Sequence, residues 1–249
     1  MIKEAIKFLV EQGIDPHDRF VEITDADNVD RMFVINDEGS ANEVRPINKN
    51  AKERFTVTTL TGLVNYVKSN LDYRENLFLH VVSEREVELR GTLDNEGSRE
   101  NLARAVAIIP RFEYEYFHDA EELIIALQST FKGTDDRDLL LKVIGNVKEE
   151  NVRNTGDTGF SQAVTIKTGI ASADDVVVPN PVTLAPYRTF LEVEQPSSDF
   201  IFRMKDGPLG AIFEADGGSW RNVAIANVRD YLAKELDADI EKGRITIIA

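Results

Sequence analysis

The sequence predicts an α+β protein with a mainly antiparallel sheet in its C-terminal half and helices flanking that sheet. Two observations predict it. Capped apolar stripes of helical spacing gather in the first half while alternating, strand-like runs dominate the second, which argues against a wound parallel sheet. The late runs are joined by links as short as PSS and KDGP, whereas parallel strands need a crossover of a dozen or more residues.

Along the chain, Ile2, Ala5, Ile6, Leu9 and Val10 recur at helical spacing before Gly13 and Asp15-Pro16 supply a stop. Phe20 to Ile23 and Met32 to Ile35 read as a small hairpin, with a turn at Asn36-Asp37-Glu38-Gly39. Leu60, Leu63, Val64, Val67 and Leu71 form a second helical stripe with Thr59 as its N-cap. Leu77, Leu79 and Val81, then Val87, Leu89 and Leu93, alternate with polar residues as a half-buried antiparallel pair does. Asp119 and Glu122 have capping-box spacing ahead of Leu123, Ile124, Leu127 and Phe131.

The run KGTDDRD (132–138) reads as a linker between an N-terminal α+β region, 1–131, and a strand-rich region, 139–249, within either two domains or one integrated domain. Beyond it, residues 160–168 alternate after the turn Asp157-Thr158-Gly159. Residues 187–195, 199–205 and 209–216 read as three neighbouring strands. A helix from Trp220 carries Ile225, Val228, Leu232 and Leu236, and Ile245 to Ile248 form a terminal strand.

The composition narrows the chemistry. There is no cysteine, which removes disulfides, thiolate zinc sites, Fe–S clusters and Cys nucleophiles together, and the three histidines, His17, His80 and His118, are scattered. His80 falls within an apolar strand, where a structural role is expected. Forty-four acidic against 29 basic residues give a net charge of −15, which disfavours bulk nucleic-acid binding because such surfaces gain affinity from displaced counterions. A local groove around Arg99, Arg104 and Arg111 stays open beside their reading as solvated partners of neighbouring glutamates. No membrane span is predicted. Charges interrupt the first apolar stripe, so no signal peptide is expected and a cytoplasmic location is.

The densest set of functional candidates lies on the three late runs. Period-two alternation puts Arg188, Glu192 and Glu194 on one face, Glu214 and Asp216 lie two apart on another strand, and Arg203 and Lys205 follow between them. Neighbouring carboxylates of this kind hold Mg²⁺ through oxygen, with a basic group to stabilise developing phosphate charge. The alternative is a charged sheet face of cross-strand ion pairs. The turn EADGGSWR offers the N–H groups of a helix start to an anion, or a simple turn with Ser219 as N-cap. DTGF matches the tripeptide of retroviral-type aspartic proteases, though turn chemistry accounts for it better. No Walker loop, dinucleotide-binding glycine pattern or zincin motif occurs.

The segments PNPVTLAPYRTFLEVEQPSSDFIFR (179–203) and FEADGGSWR (213–221), with LTGLVNYV (60–67), LIIALQS (123–129) and DTGFSQAVTIKTGIA (157–171), resemble the YfdQ-like proteins of bacteriophages and prophages. The resemblance covers most of the chain. It implies a phage or prophage product acting in the cytoplasm of its bacterial host, and it supplies no catalytic residues. The leading expectation is therefore a non-catalytic accessory protein acting through protein surfaces on itself or on a host or phage partner, with no cofactor. Self-association is expected through Ile245, Ile247 and Ile248, because an unpaired terminal strand invites pairing, with burial of that strand in the chain's own sheet as the alternative. The alternatives are a Mg²⁺-dependent hydrolase of nucleotides or nucleic acid using the late carboxylates, and a counter-defence protein that sequesters a nucleotide signal or inhibits a host enzyme.

Overall fold

The computed structural model describes residues 20–24, 30–36, 39–44, 50–94, 97–146, 162–167, 173–178, 180–205 and 209–249. The first helical stripe (2–10) with its stop, His17, and the turn Asp157-Thr158-Gly159 with its DTGF lie outside them. The fold is α+β, as expected from the sequence. Two compact units divide the chain, residues 1–52 with 93–100, and 53–92 with 101–249. This division does not follow the 132–138 run.

In the smaller unit, β1 (Phe20–Thr24), β2 (Asp30–Ile35) and β3 (Ala41–Val44) form an antiparallel sheet in chain order, with Phe20 opposite Val34 and Phe33 opposite Glu43. The β2–β3 turn closes through Gly39, whose N–H donates to the Asn36 carbonyl and whose φ of 76° suits a residue without a Cβ.

The larger unit runs β4 (Phe55–Val57), α1 (Leu60–Ser69), β5 (Leu77–Ser83), β6 (Glu86–Leu93) up to Thr92, β7 (Arg99–Val106) from Asn101 on, α2 (Ala120–Thr130) and α3 (Asp135–Asn146). It continues with β8 (Gln162–Lys167), β9 (Ala173–Val178), β10 (Val182–Leu184), β11 (Ser198–Lys205) and β12 (Leu209–Glu214). The last elements are α4 (Trp220–Glu235), α5 (Asp237–Glu241) and β13 (Ile245–Ile248).

A five-stranded sheet has the order β13-β5-β6-β7-β4. β5 and β6 pair antiparallel as the alternation predicts, while β13 lies parallel to β5 and β4 parallel to β7. Leu77, Leu79, Val81, Val87 and Leu89 pack with Leu60, Leu63, Val64 and Val67 of α1 and with Val228 and Leu232 of α4. Each such side chain removed from water stabilises the fold by about 1.5 to 3 kcal/mol. Thr59 caps α1 as expected, its Oγ1 accepting from the Gly62 N–H at 3.0 Å.

A second cluster joins α2 and α3 to a three-stranded sheet of order β10-β11-β12. Leu123, Leu127, Leu140, Val143 and Ile144 meet Phe200 and Phe202 there. Asp119 caps α2 through the Glu122 N–H at 2.8 Å, as its spacing predicts. β11 and β12 are antiparallel neighbours, and β8 pairs antiparallel with β9.

Two readings are corrected. Residues 135–138 open α3 rather than extend a linker, because Thr134 caps the helix and Asp135, Asp136 and Asp138 favour its positive N-terminal end. Residues 187–195 are not a strand. The buried Gln195 side chain accepts from the N–H groups of Arg188 and Thr189 and donates to the carbonyls of Phe190 and Val193, so the segment curls around one amide. β10 takes the predicted place beside β11, antiparallel to it.

Candidate functional site

A cleft of about 450 Å³ opens in the larger unit beside the start of α4. Its depth is graded by exposure: the Arg188 side chain is 4% exposed and Trp220 is buried, whereas Arg85, Arg111 and Arg221 reach solvent, Arg111 at 87%. Phe112 and Tyr114 form an aromatic wall.

The floor is assembled by the curled loop. Arg188 Nη1 donates to Glu214 Oε1 at 3.0 Å, and Nη2 to the Pro196 carbonyl at 3.3 Å and to the Ser198 hydroxyl. Its guanidinium lies 3.9 Å from the centre of the Trp220 ring and 5.6 Å from that of Phe200, both in range of cation–π attraction. Arg188 Nε and Trp220 Nε1 are buried without a hydrogen-bond acceptor among the described residues. Burial pushes the Arg188 guanidinium below its ordinary pKa, and its polar neighbours Tyr114, Glu214 and Asp216 oppose that shift without cancelling it.

The β5–β6 turn supplies Arg85. Its Nε donates to the Arg188 carbonyl at 3.4 Å, and the Thr189 hydroxyl donates to the Glu84 carbonyl, so turn and loop are tied together. The segment after β7 supplies the wall, held by the Glu115 N–H on the Ile212 carbonyl and by a two-way backbone bridge between His118 and Gly210. Tyr114 stacks on Phe200 at 5.8 Å, and Phe112 meets Tyr114 and Phe131 edge to face. Burial pushes the Tyr114 phenol up to about 12, with Arg188 pulling it down and Glu214 pushing it up. At neutral pH it is a hydrogen-bond donor.

The cleft is lined by four arginines and the single carboxylate of Glu214. Arg85 and Arg111 also pair with Glu84 and Glu113, at 3.4 and 2.7 Å. These are short-range pairs of exposed arginines, a type contributing about 0 to 1 kcal/mol. Arg221 makes no ion pair among the described residues and rests 4.9 Å from the Trp220 ring centre.

Of the seven late candidates, the structure brings Arg188 and Glu214 together and places Asp216 nearby. Asp216 accepts from the N–H groups of Gly218 and Trp220, so it, and not Ser219, caps the start of α4 with its side chain. That carboxylate occupies the N–H groups the sequence offered to an external anion. Glu192 accepts from the Thr61 N–H at the start of α1, and Glu194 pairs with Lys132. Arg203 lies on the face of β11 opposite Phe200. The four carboxylates thus have separate partners, and no group of three or more His, Cys, Asp or Glu suited to a metal occurs among the described residues. Of the predicted arginine groove, Arg111 alone lines the cleft, while Arg104 bonds Thr56 and Glu86. β13 pairs within its own chain and buries Ile245, with Ile247 packed on the core and Ile248 half exposed at the sheet edge.

Sequence reasoning missed Arg85, Arg221, Phe112, Tyr114 and Trp220 as one site. The one available signal was their concentration of arginine and aromatic residues in an acidic chain. No family model, curated protein or solved structure matches the chain. No helix among the described residues is long and apolar enough to cross a membrane.

Proposed function

We propose that the protein is a binding protein whose cleft captures a small organic anion. The observation that carries this reading is the arginine lining of the cleft: four arginines against one lining carboxylate, with Arg221 making no ion pair among the described residues, in a chain of net charge −15. Positive charge concentrated in a cleft of an otherwise acidic chain draws an anion to that one place. Guanidinium groups match carboxylate and phosphate oxygens two at a time. The separate partners of Glu192, Glu194, Glu214 and Asp216 give the metal-dependent hydrolase reading no support. With the YfdQ-like resemblance, this is the ligand-sequestering expectation, set in a phage-infected or lysogenic bacterium.

The test is a thermal-shift screen of phosphate esters, sulfates and di- and tricarboxylates at low salt. A ligand bound only by the folded state raises the midpoint in a saturable, concentration-dependent way. At least one anion should do so, and Arg221→Glu, at an exposed position, should abolish the rise while folding normally. No response from any anion overturns the reading, as does a response unchanged in Arg221→Glu.

A further inference from the structure

We propose that the anion is a nucleoside phosphate, bound with its base at the floor of the cleft and its phosphate at the rim. This rests on the anion-binding reading above and assigns its ligand class. Three features of the cleft carry it.

The first is size. A volume of about 450 Å³ is far more than an inorganic anion needs and falls in the ~300 to 1,000 Å³ range of sites for larger ligands. The second is the order of polarity with depth. Charge in excess of local partners sits at the mouth on Arg221, with Arg85 and Arg111 lining the same cleft beside their glutamate partners, and there a phosphate also keeps part of its hydration. The floor sets no free charge against a ligand: the Arg188 guanidinium is spent on Glu214, Pro196 and Ser198 and lies against the Trp220 ring. A lining of that kind suits the flat, neutral body of a ligand, and a base is such a body.

The third feature is the wall. Phe112 and Tyr114 present aromatic surface, and bases stack on aromatic side chains and on arginine planes for about 1 to 3 kcal/mol each. An inorganic phosphate uses the rim and leaves the aromatic wall uncovered. A free nucleoside reverses that deficit. Only a ligand with both parts satisfies the two ends together. The acidic chain fits this, since repulsion elsewhere on the surface disfavours a polymeric nucleic acid while a single nucleotide reaches one local basic site.

Trp220 is the sole tryptophan, so its fluorescence reports directly on the cleft. The full chain is titrated with the four ribonucleoside 5′-monophosphates, the matching nucleosides, ribose 5-phosphate and inorganic phosphate. At least one monophosphate should perturb the emission saturably and bind tenfold or more tighter than both its nucleoside and ribose 5-phosphate. Arg221→Ala should weaken that monophosphate tenfold and leave the nucleoside unchanged. Phe112→Ala, which removes ring surface from the wall, should weaken monophosphate and nucleoside by the same factor. Ribose 5-phosphate or inorganic phosphate binding within threefold of the best nucleotide overturns the nucleotide assignment while leaving anion capture intact. Silence from every phosphate, with a carboxylate or sulfate binding instead, does the same. Silence from all anions overturns both.

Discussion

Glu88 and Arg188 are both buried ions in the larger unit, and they are satisfied to different degrees. Glu88, on β6 with its side chain 8% exposed, accepts from Arg54 on one carboxylate oxygen and from Arg90 on the other. Burial pushes its carboxyl up, and the two arginines more than reverse that, leaving it below the ordinary value of 4.5. Arg188 has one carboxylate, and its burial penalty is only partly offset. Both oxygens of Glu88 are taken, so that network closes on itself and fixes the sheet. Arg188 keeps a buried Nε without a partner among the described residues, in the lining of the cleft.

The contrast is testable at both ends. The largest expected effect comes from the scaffold. Leu232→Ala empties a buried position where α4 packs on the five-stranded sheet and should lower stability by about 2 to 5 kcal/mol in denaturant titration. Leu232 is twelve residues along α4 from Trp220, about 18 Å, so the folded variant should keep its anion affinity. A matching loss of affinity breaks the separation between scaffold and cleft.

A smaller effect belongs to the cleft floor. The Tyr114 phenol is raised from 10 to about 12, so the fold holds its proton more tightly than the unfolded chain does. That stabilisation is complete below pH 10 and is lost as pH rises toward 12, by on the order of 1 to 3 kcal/mol. Ultraviolet titration should show one tyrosine ionising late, and Tyr114→Phe should remove both that step and its share of the alkaline loss. A Tyr114 phenol that ionises near the ordinary value of 10 would show that the cleft is wet there.

The smallest effect lies on the sheet. Because the Glu88 carboxyl is held below 4.5, its contribution is present above that pH and is lost as pH falls through the lowered value. Glu88→Gln should therefore be less stable than the parent at neutral pH, with the gap narrowing in acid. Urea midpoints for the two proteins at several pH values measure it, and a gap that stays constant removes the claim that the charge is what counts.

Local patterns carried much of the fold before any coordinates. Thr59 and Asp119 were legible as caps because a cap is a contact between residues three positions apart. The β1–β2 and β5–β6 hairpins and the β11–β12 pair were legible because alternation and a short connection specify antiparallel neighbours. β4, β7 and β10 were missed: the first and last have three residues each, and Arg99–Val106 mixes charges with small residues. The parallel seat of β13 on β5 joins residues 168 positions apart, as in Ile245 opposite Leu77, a separation no local period encodes. The cleft was hidden for the same reason, since Arg85, Phe112, Arg188 and Trp220 share no spacing. Strand periodicity through 187–195 pointed to the wrong partners for Arg188, because it counts apolar and polar positions and cannot register that one buried amide, Gln195, satisfies four backbone groups and bends the chain back on itself.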